Sequence, residues 1–200
     1  MKKLLLSLLL AFVFTIISTA QDAQAYSYHG GGGSSENGWV LGLDGLYYFY
    51  TQQTSSTTIT NTREVINPNL GYHFNMLYIG AAYDYDAFIQ AQTNQPTLTS
   101  SFRSWGAAVG LMTDNVYLRF TYFFSSIGTL NAGGNPGTSQ DLTNGSGYQI
   151  ELGYMFDLGS NFKLGPDLTY KILTYNTISY ASGSETWTMF LPHLNIEYHF

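Results

Sequence analysis

Ten charged residues fall on one parity of strand-like segments: the acids Asp44, Asp84, Asp86, Glu151, Asp167 and Glu197, and the bases Arg63, Arg119, Lys163 and Lys171. Carboxylates set among guanidinium and ammonium groups can form a static salt-bridged network, line a narrow polar pore, or relay a proton as a gate. Buried charges are tolerated when they are paired and hydrogen-bonded, and the near-balance of signs favours the static network. Asp84 and Asp86 are two apart and share a face. Paired carboxylates can take a cation or share a proton, but two acids alone make a poor ligand set. No metal and no cofactor is expected.

These residues need elements that turn them to a common interior. The chain has 200 residues and no cysteine, so no disulfide holds it. Met1-Lys2-Lys3, the apolar run Leu4 to Ile17, and Ala23-Gln24-Ala25 have the parts of a secretory signal. Cleavage is expected after Ala25, with Ala20 as the alternative. Residues 1–25 are then the signal peptide, 26–37 a glycine-rich flexible lead-in, and 38–200 one domain. Loss of Lys2, Lys3 and Asp22 leaves the mature chain one unit more acidic than the formal −6 of the whole. That balance argues against a nucleic-acid partner, which needs a basic surface.

Only 10% of residues are charged while 16% are aromatic. Soluble domains carry about 25% charged residues, so much of this surface is expected to avoid water. No segment beyond the signal is apolar for long enough to make a membrane helix. The other way to cross a bilayer is a closed barrel, in which strands satisfy one another's backbone groups. Eight alternating segments fit that demand: 38–50, 63–74, 77–88, 102–112, 116–125, 147–157, 162–174 and 186–200. Val116, Leu118, Phe120, Tyr122 and Phe124, alternating with Tyr117, Arg119 and Thr121, show the pattern most clearly. Pro68 lies inside the second segment and implies a local irregularity there.

Long polar loops are expected at 51–62, 89–100, 126–146 and 175–185, and short turns near Asn75, at 113–115 and near Gly159. This alternation is that of outer-membrane barrels, with short periplasmic turns and long outer loops. A soluble lipocalin-type barrel would need a charged exterior, which the polar parity cannot supply. The expected fold class is therefore an all-β, eight-stranded antiparallel up-and-down transmembrane β-barrel. By strand direction, Arg63, Asp84, Asp86 and Lys171 fall toward the outer mouth. Asp44, Glu151 and Asp167 fall near the middle, and Arg119, Lys163 and Glu197 near the periplasmic end. Tyr48, Tyr78, Tyr117 and Phe123 are expected to fill space left by the small inward face Ser104, Gly106, Ala108 and Gly110.

The chain ends in Leu194-Asn195-Ile196-Glu197-Tyr198-His199-Phe200. An apolar or aromatic residue at Leu194, Ile196, Tyr198 and Phe200 resembles the C-terminal signal that outer-membrane barrels present to the barrel-assembly machinery. With the signal peptide and eight segments, the whole mature chain resembles the small outer-membrane barrels typified by OmpA, OmpX and OmpW. The resemblance implies a location in the outer membrane, contact with its lipid and lipopolysaccharide, and a monomer. It implies little about activity, since one fold hosts many functions. Arg103, on the outward parity beside Trp105, can contact lipopolysaccharide phosphates or snorkel to water.

No enzyme is expected. None of His29, His73, His193 or His199 begins the His-x-Ser motif of lipid A deacylases, and omptin-type proteases need more strands. The leading expectation is a non-enzymatic structural or envelope-integrity protein. The alternatives are a narrow channel or conduit for small hydrophobic molecules, as the OmpW resemblance suggests, and an adhesin or receptor acting through outer loops. Tyr180 is a large interface anchor in those loops.

Overall fold

The computed structural model describes residues 37–53, 57–113, 115–133, 139–178 and 183–200. The expected signal peptide lies outside them, as do Tyr180 and all of the lead-in except Asn37.

Alternating apolar and polar residues make strands because side chains on a pleated backbone point to opposite faces. The described strands are β1 Gly38–Gln53, β2 Thr58–Phe74, β3 Leu77–Gln92, β4 Leu98–Met112, β5 Val116–Ala132, β6 Ser139–Tyr154, β7 Phe156–Gly159, β8 Phe162–Ile178 and β9 Glu185–His199. Every pairing is antiparallel between neighbours in the chain, except that β1 also pairs with β9 and β6 with β8. β6 and β7 both pair with β8. They are one stave broken at Met155, so the ring closes with eight places, as the alternation requires.

Hydrophobicity is inverted relative to a soluble barrel. Tyr47 and Phe49 on the outer face are each 68% exposed, while Asp44, Asp84, Glu151 and Lys171 inside are 0% exposed. Aromatic pairs sit toward both ends of this apolar exterior. Trp39 meets Tyr72, and Tyr198 meets Phe162 and Phe200, at the short-turn end; Tyr83 meets Trp105 toward the other. Such girdles mark the two interfaces of a bilayer.

The strands run further than expected at the long-connection end. Much of 51–62, 89–100, 126–146 and 175–185 is paired rather than looped; Gln53 still pairs with Thr58, and Asn131 with Ser139. These Thr-, Ser-, Asn- and Gln-rich stretches lose the apolar face. The hydrogen-bond ladder needs only backbone, and β-branched threonine suits it. β5 also carries a bulge that the alternation of its residues does not show. Phe124 and Ser125 are both exposed, the register shifts against β4 and β6, and Ser126 becomes inward. At the opposite end Asn75 and Asn161 take positive φ in their tight turns, a conformation asparagine tolerates.

Three prolines account for three breaks in the ladder. Along an antiparallel strand, successive N–H groups face opposite neighbours. Phe200 N–H donates to Trp39 C=O, so even-numbered β9 residues face β1. Carrying the alternation round the ring through the registers, even residues of β8 face β6 and β7, and even residues of β2 face β3. Pro68 therefore lacks its donor toward β3, where pairing skips Asn67 and Pro68 and resumes in the same register. Pro166 lacks it toward the β6–β7 stave, where pairing stops at Gly153 and resumes at Phe156. Pro192 lacks it toward β1, where pairing ends at Gly45 and Leu194. The irregularity expected at Pro68 is this one-sided gap.

Candidate functional site

The lumen carries two charge clusters. In the first, Lys171 on β8 reaches across to β3, donating to Asp84 at 2.8 and 2.9 Å and to Asp86 at 3.3 Å. Arg63 on β2 completes it with two bonds to Asp86, at 3.1 and 2.8 Å. In the second, Arg119 on β5 donates to both oxygens of Glu151, at 2.6 and 2.9 Å, and across the lumen to Asp44 on β1. Glu197 stands 3.8 Å from the same guanidinium. The rings of Tyr117 and Tyr78 lie 5.2 and 5.9 Å from it, so their π faces add to the cradle.

In the ring order, β3 and β8 are four places apart, and so are β1 and β5. In an eight-place ring that is the full diameter. Two salt bridges thus cross the barrel, one in each cluster.

Neutral polar groups extend the second cluster. Asn69 donates to Asp44 at 3.1 Å, and Tyr78 to Asn69 at 3.1 Å. Asn195 donates to the Tyr117 hydroxyl at 2.8 Å. Apolar groups pack about both clusters. Phe102, Phe123, Leu173 and Tyr175 lie toward the long-connection end, and Val40, Tyr78, Met112 and Tyr117 toward the other. Tyr78, Tyr117 and Phe123 fill the space beside the small face of β4. Tyr48 is only half-buried and stacks on Tyr50.

The sequence grouping into an outer, a middle and a periplasmic set needs correction. Arg119 was expected near the periplasmic end, yet it sits directly opposite Glu151 in the β5–β6 register and joins the middle acids to Glu197. Tilted strands and an offset register bring together residues that strand position alone separates. Lys163 lies opposite Glu197 in the β8–β9 register. Asp167 accepts from the Thr169 hydroxyl at 2.9 Å and lies 3.6 Å from His193 Nδ1. Asp84 and Asp86 hold Lys171 and Arg63 rather than standing as a free carboxylate pair. Among the described residues no group of three His, Cys, Asp or Glu is placed to hold a metal ion.

Sequence reasoning missed Asn69, Thr169, His193 and Asn195 as parts of the site. All fall on the inward parity, which was the available signal; their partners depend on register. Arg103 points outward with its guanidinium 6.0 Å from the Tyr85 ring. Leu194, Ile196 and Phe200 are exposed on the apolar face, and Tyr198 is half-exposed there.

The fold and this lumen together define a class: a transmembrane β-barrel of eight places, apolar outside and ion-paired inside. No known family model and no curated protein matches the sequence. Among solved structures the chain is similar to Neisserial surface protein A, at 14% identity and TM-score 0.45, covering 85% of this chain and 100% of that one. It is also similar to the translocator domain of the autotransporter NalP from Neisseria meningitidis, at 11% identity and TM-score 0.40, covering 93% and 69%. A third likeness is to the outer membrane protein AlkL, at 10% identity and TM-score 0.37, covering 86% and 94%. Likenesses this distant carry nothing about activity. The class stands on this chain's own pairing and inverted exterior.

Proposed function

We propose that this protein is a monomer seated in the bacterial outer membrane, with its short turns in the periplasm, and that it serves as a closed structural element of the envelope without catalysis. The observation that carries this reading is the pair of diametral crossings, Lys171 to Asp84 and Arg119 to Asp44, which occupy the axis an axial pore would need. The girdled apolar exterior supports the seat in lipid, and the alternation of short turns with long paired extensions supports the orientation. Arg103, exposed and outward, is the residue suited to a lipopolysaccharide phosphate. Leu194, Ile196, Tyr198 and Phe200 are the residues suited to the assembly machinery.

Planar-bilayer recording of the refolded protein tests this reading, beside a gel of unheated and boiled samples. A folded barrel that shifts on boiling and passes no steady current is expected. Reproducible single-channel current from the unaltered protein would overturn the closed lumen.

A further inference from the structure

A layer of neutral polar side chains lies between the two diametral crossings. Asn67 on β2 stands directly opposite Asp44, one end of the second crossing. The register that brackets the gap at Pro68 also sets it opposite Asp84 on β3, one end of the first. Gln149 on β6 stands opposite Lys171 on β8 and opposite Thr121 on β5. Thr121 is two residues from Arg119 on the same inward face. In the ring order β2 and β6 are four places apart, so Asn67 and Gln149 face each other across the lumen.

All three side chains are shut away from solvent. Asn67 is 1% exposed, and Thr121 and Gln149 are 0% exposed. Yet Asn67 Nδ2 and Oδ1, Gln149 Nε2 and Oε1, and Thr121 Oγ1 have no hydrogen-bond partner in the protein. Leaving a buried donor or acceptor unpaired is costly, and native interiors supply partners to nearly all of them. The two amides cannot supply each other. Eight tilted staves about 4.8 Å apart close a ring about 16 Å across. An asparagine and a glutamine side chain together reach little more than half of that.

We propose that this layer is a binding site for water, held as a small cluster between the two ion-paired clusters and shared by Asn67, Thr121 and Gln149. The proposal rests on the closed-lumen reading above. The choice of ligand follows from the bare atoms. Each amide offers both a donor nitrogen and an acceptor oxygen, and the hydroxyl can do either. A cation would satisfy the oxygens and leave the nitrogens bare, and an anion the reverse. Water both donates and accepts. At about three hydrogen bonds for each buried molecule, these groups take roughly two or three waters. Larger polar molecules are barred by Lys171–Asp84 at one end of the layer and Arg119–Asp44 at the other. Asp44 Oδ1, beside Asn67, is unpartnered too. The same water therefore reaches the second ion pair, and the lumen is closed to ions without being dry.

The test is magnetisation transfer from water to the side-chain NH2 groups of Asn67 and Gln149, read by NMR on the refolded protein in lipid nanodiscs. Both groups should show transfer with the sign of long-lived contact. In Asn67→Leu the transfer to Gln149 should fall at least about twofold, because the shared cluster loses the partners on one wall, while the heat-dependent gel shift stays. Gln149→Met, read at Asn67, serves if that variant does not fold. A folded barrel without transfer, or a direct contact between the two amides, would overturn the water site. So would resonances that move when sodium is exchanged for N-methylglucamine at constant chloride, since an ion would then be the ligand. Steady single-channel current would overturn the closed-lumen reading instead; no current together with no transfer would overturn the water site alone.

Discussion

Lys171 and Asp84 stand on β8 and β3, opposite each other across the ring, and are joined at 2.8 Å with neither side chain exposed. Neither can be left alone. A buried ion costs little when its partner is in place and a great deal when it is not. The closed state of the lumen therefore depends on keeping such bridges intact, and variants at their ends should report it.

Lys171→Ala should destabilise the barrel by about 3–5 kcal/mol, because Asp84 loses its cation and Asp86 keeps only Arg63. Urea unfolding in lipid vesicles measures this. The double variant Lys171→Met with Asp84→Leu should lose much less than Lys171→Ala, since two apolar groups replace the pair. A double variant as unstable as the single one would mean that the bridge is not the term that matters.

Arg119→Lys keeps the charge but removes the planar fork that grips Glu151 through two nitrogens while reaching Asp44. A loss of about 1–3 kcal/mol is expected, on the scale of charged hydrogen bonds. An unchanged unfolding midpoint would show that charge alone suffices there.

Pro192→Leu restores a backbone N–H toward β1. The ladder should extend to Tyr47, and the new residue-192 amide should exchange slowly with solvent deuterium. Fast exchange at that amide would mean that the seam is held open by something other than the missing donor.

Phe120 lies midway along the apolar stretch Val116–Phe124 and faces outward. Phe120→Arg should cost about 2–4 kcal/mol, as an arginine at the bilayer midplane does, and Phe49→Arg near the end of the belt about 0–1 kcal/mol. Equal costs at the two depths, read by folding into vesicles, would contradict the assigned belt.

Much of this molecule is legible in its sequence because the side-chain period of a strand is two. Once Val116 to Phe124 alternates, the face of Arg119 follows without any structure, and the same holds for Asp44, Asp84 and Lys171. The polar extensions beyond the belt, such as Thr58 to Asn61, are not legible this way. Above the lipid neither face need be apolar, so the period vanishes while the backbone ladder continues. The β5 bulge at Phe124 and Ser125 hid for the same reason.

Parity along each strand, and so the inward set of charges, was determined by the sequence alone. Which charge meets which was decided by the tertiary structure. That Arg119 reaches Asp44, and Lys171 reaches Asp84, depends on registers accumulated around the ring, a sum over all staves that no local segment encodes. The prolines show the same division. Pro68, Pro166 and Pro192 are visible as residues, but the neighbour each one fails to bond is set by the alternation of N–H groups in the closed sheet. Pro192 faces β1, and the seam between the first and last strands ends there for want of one donor.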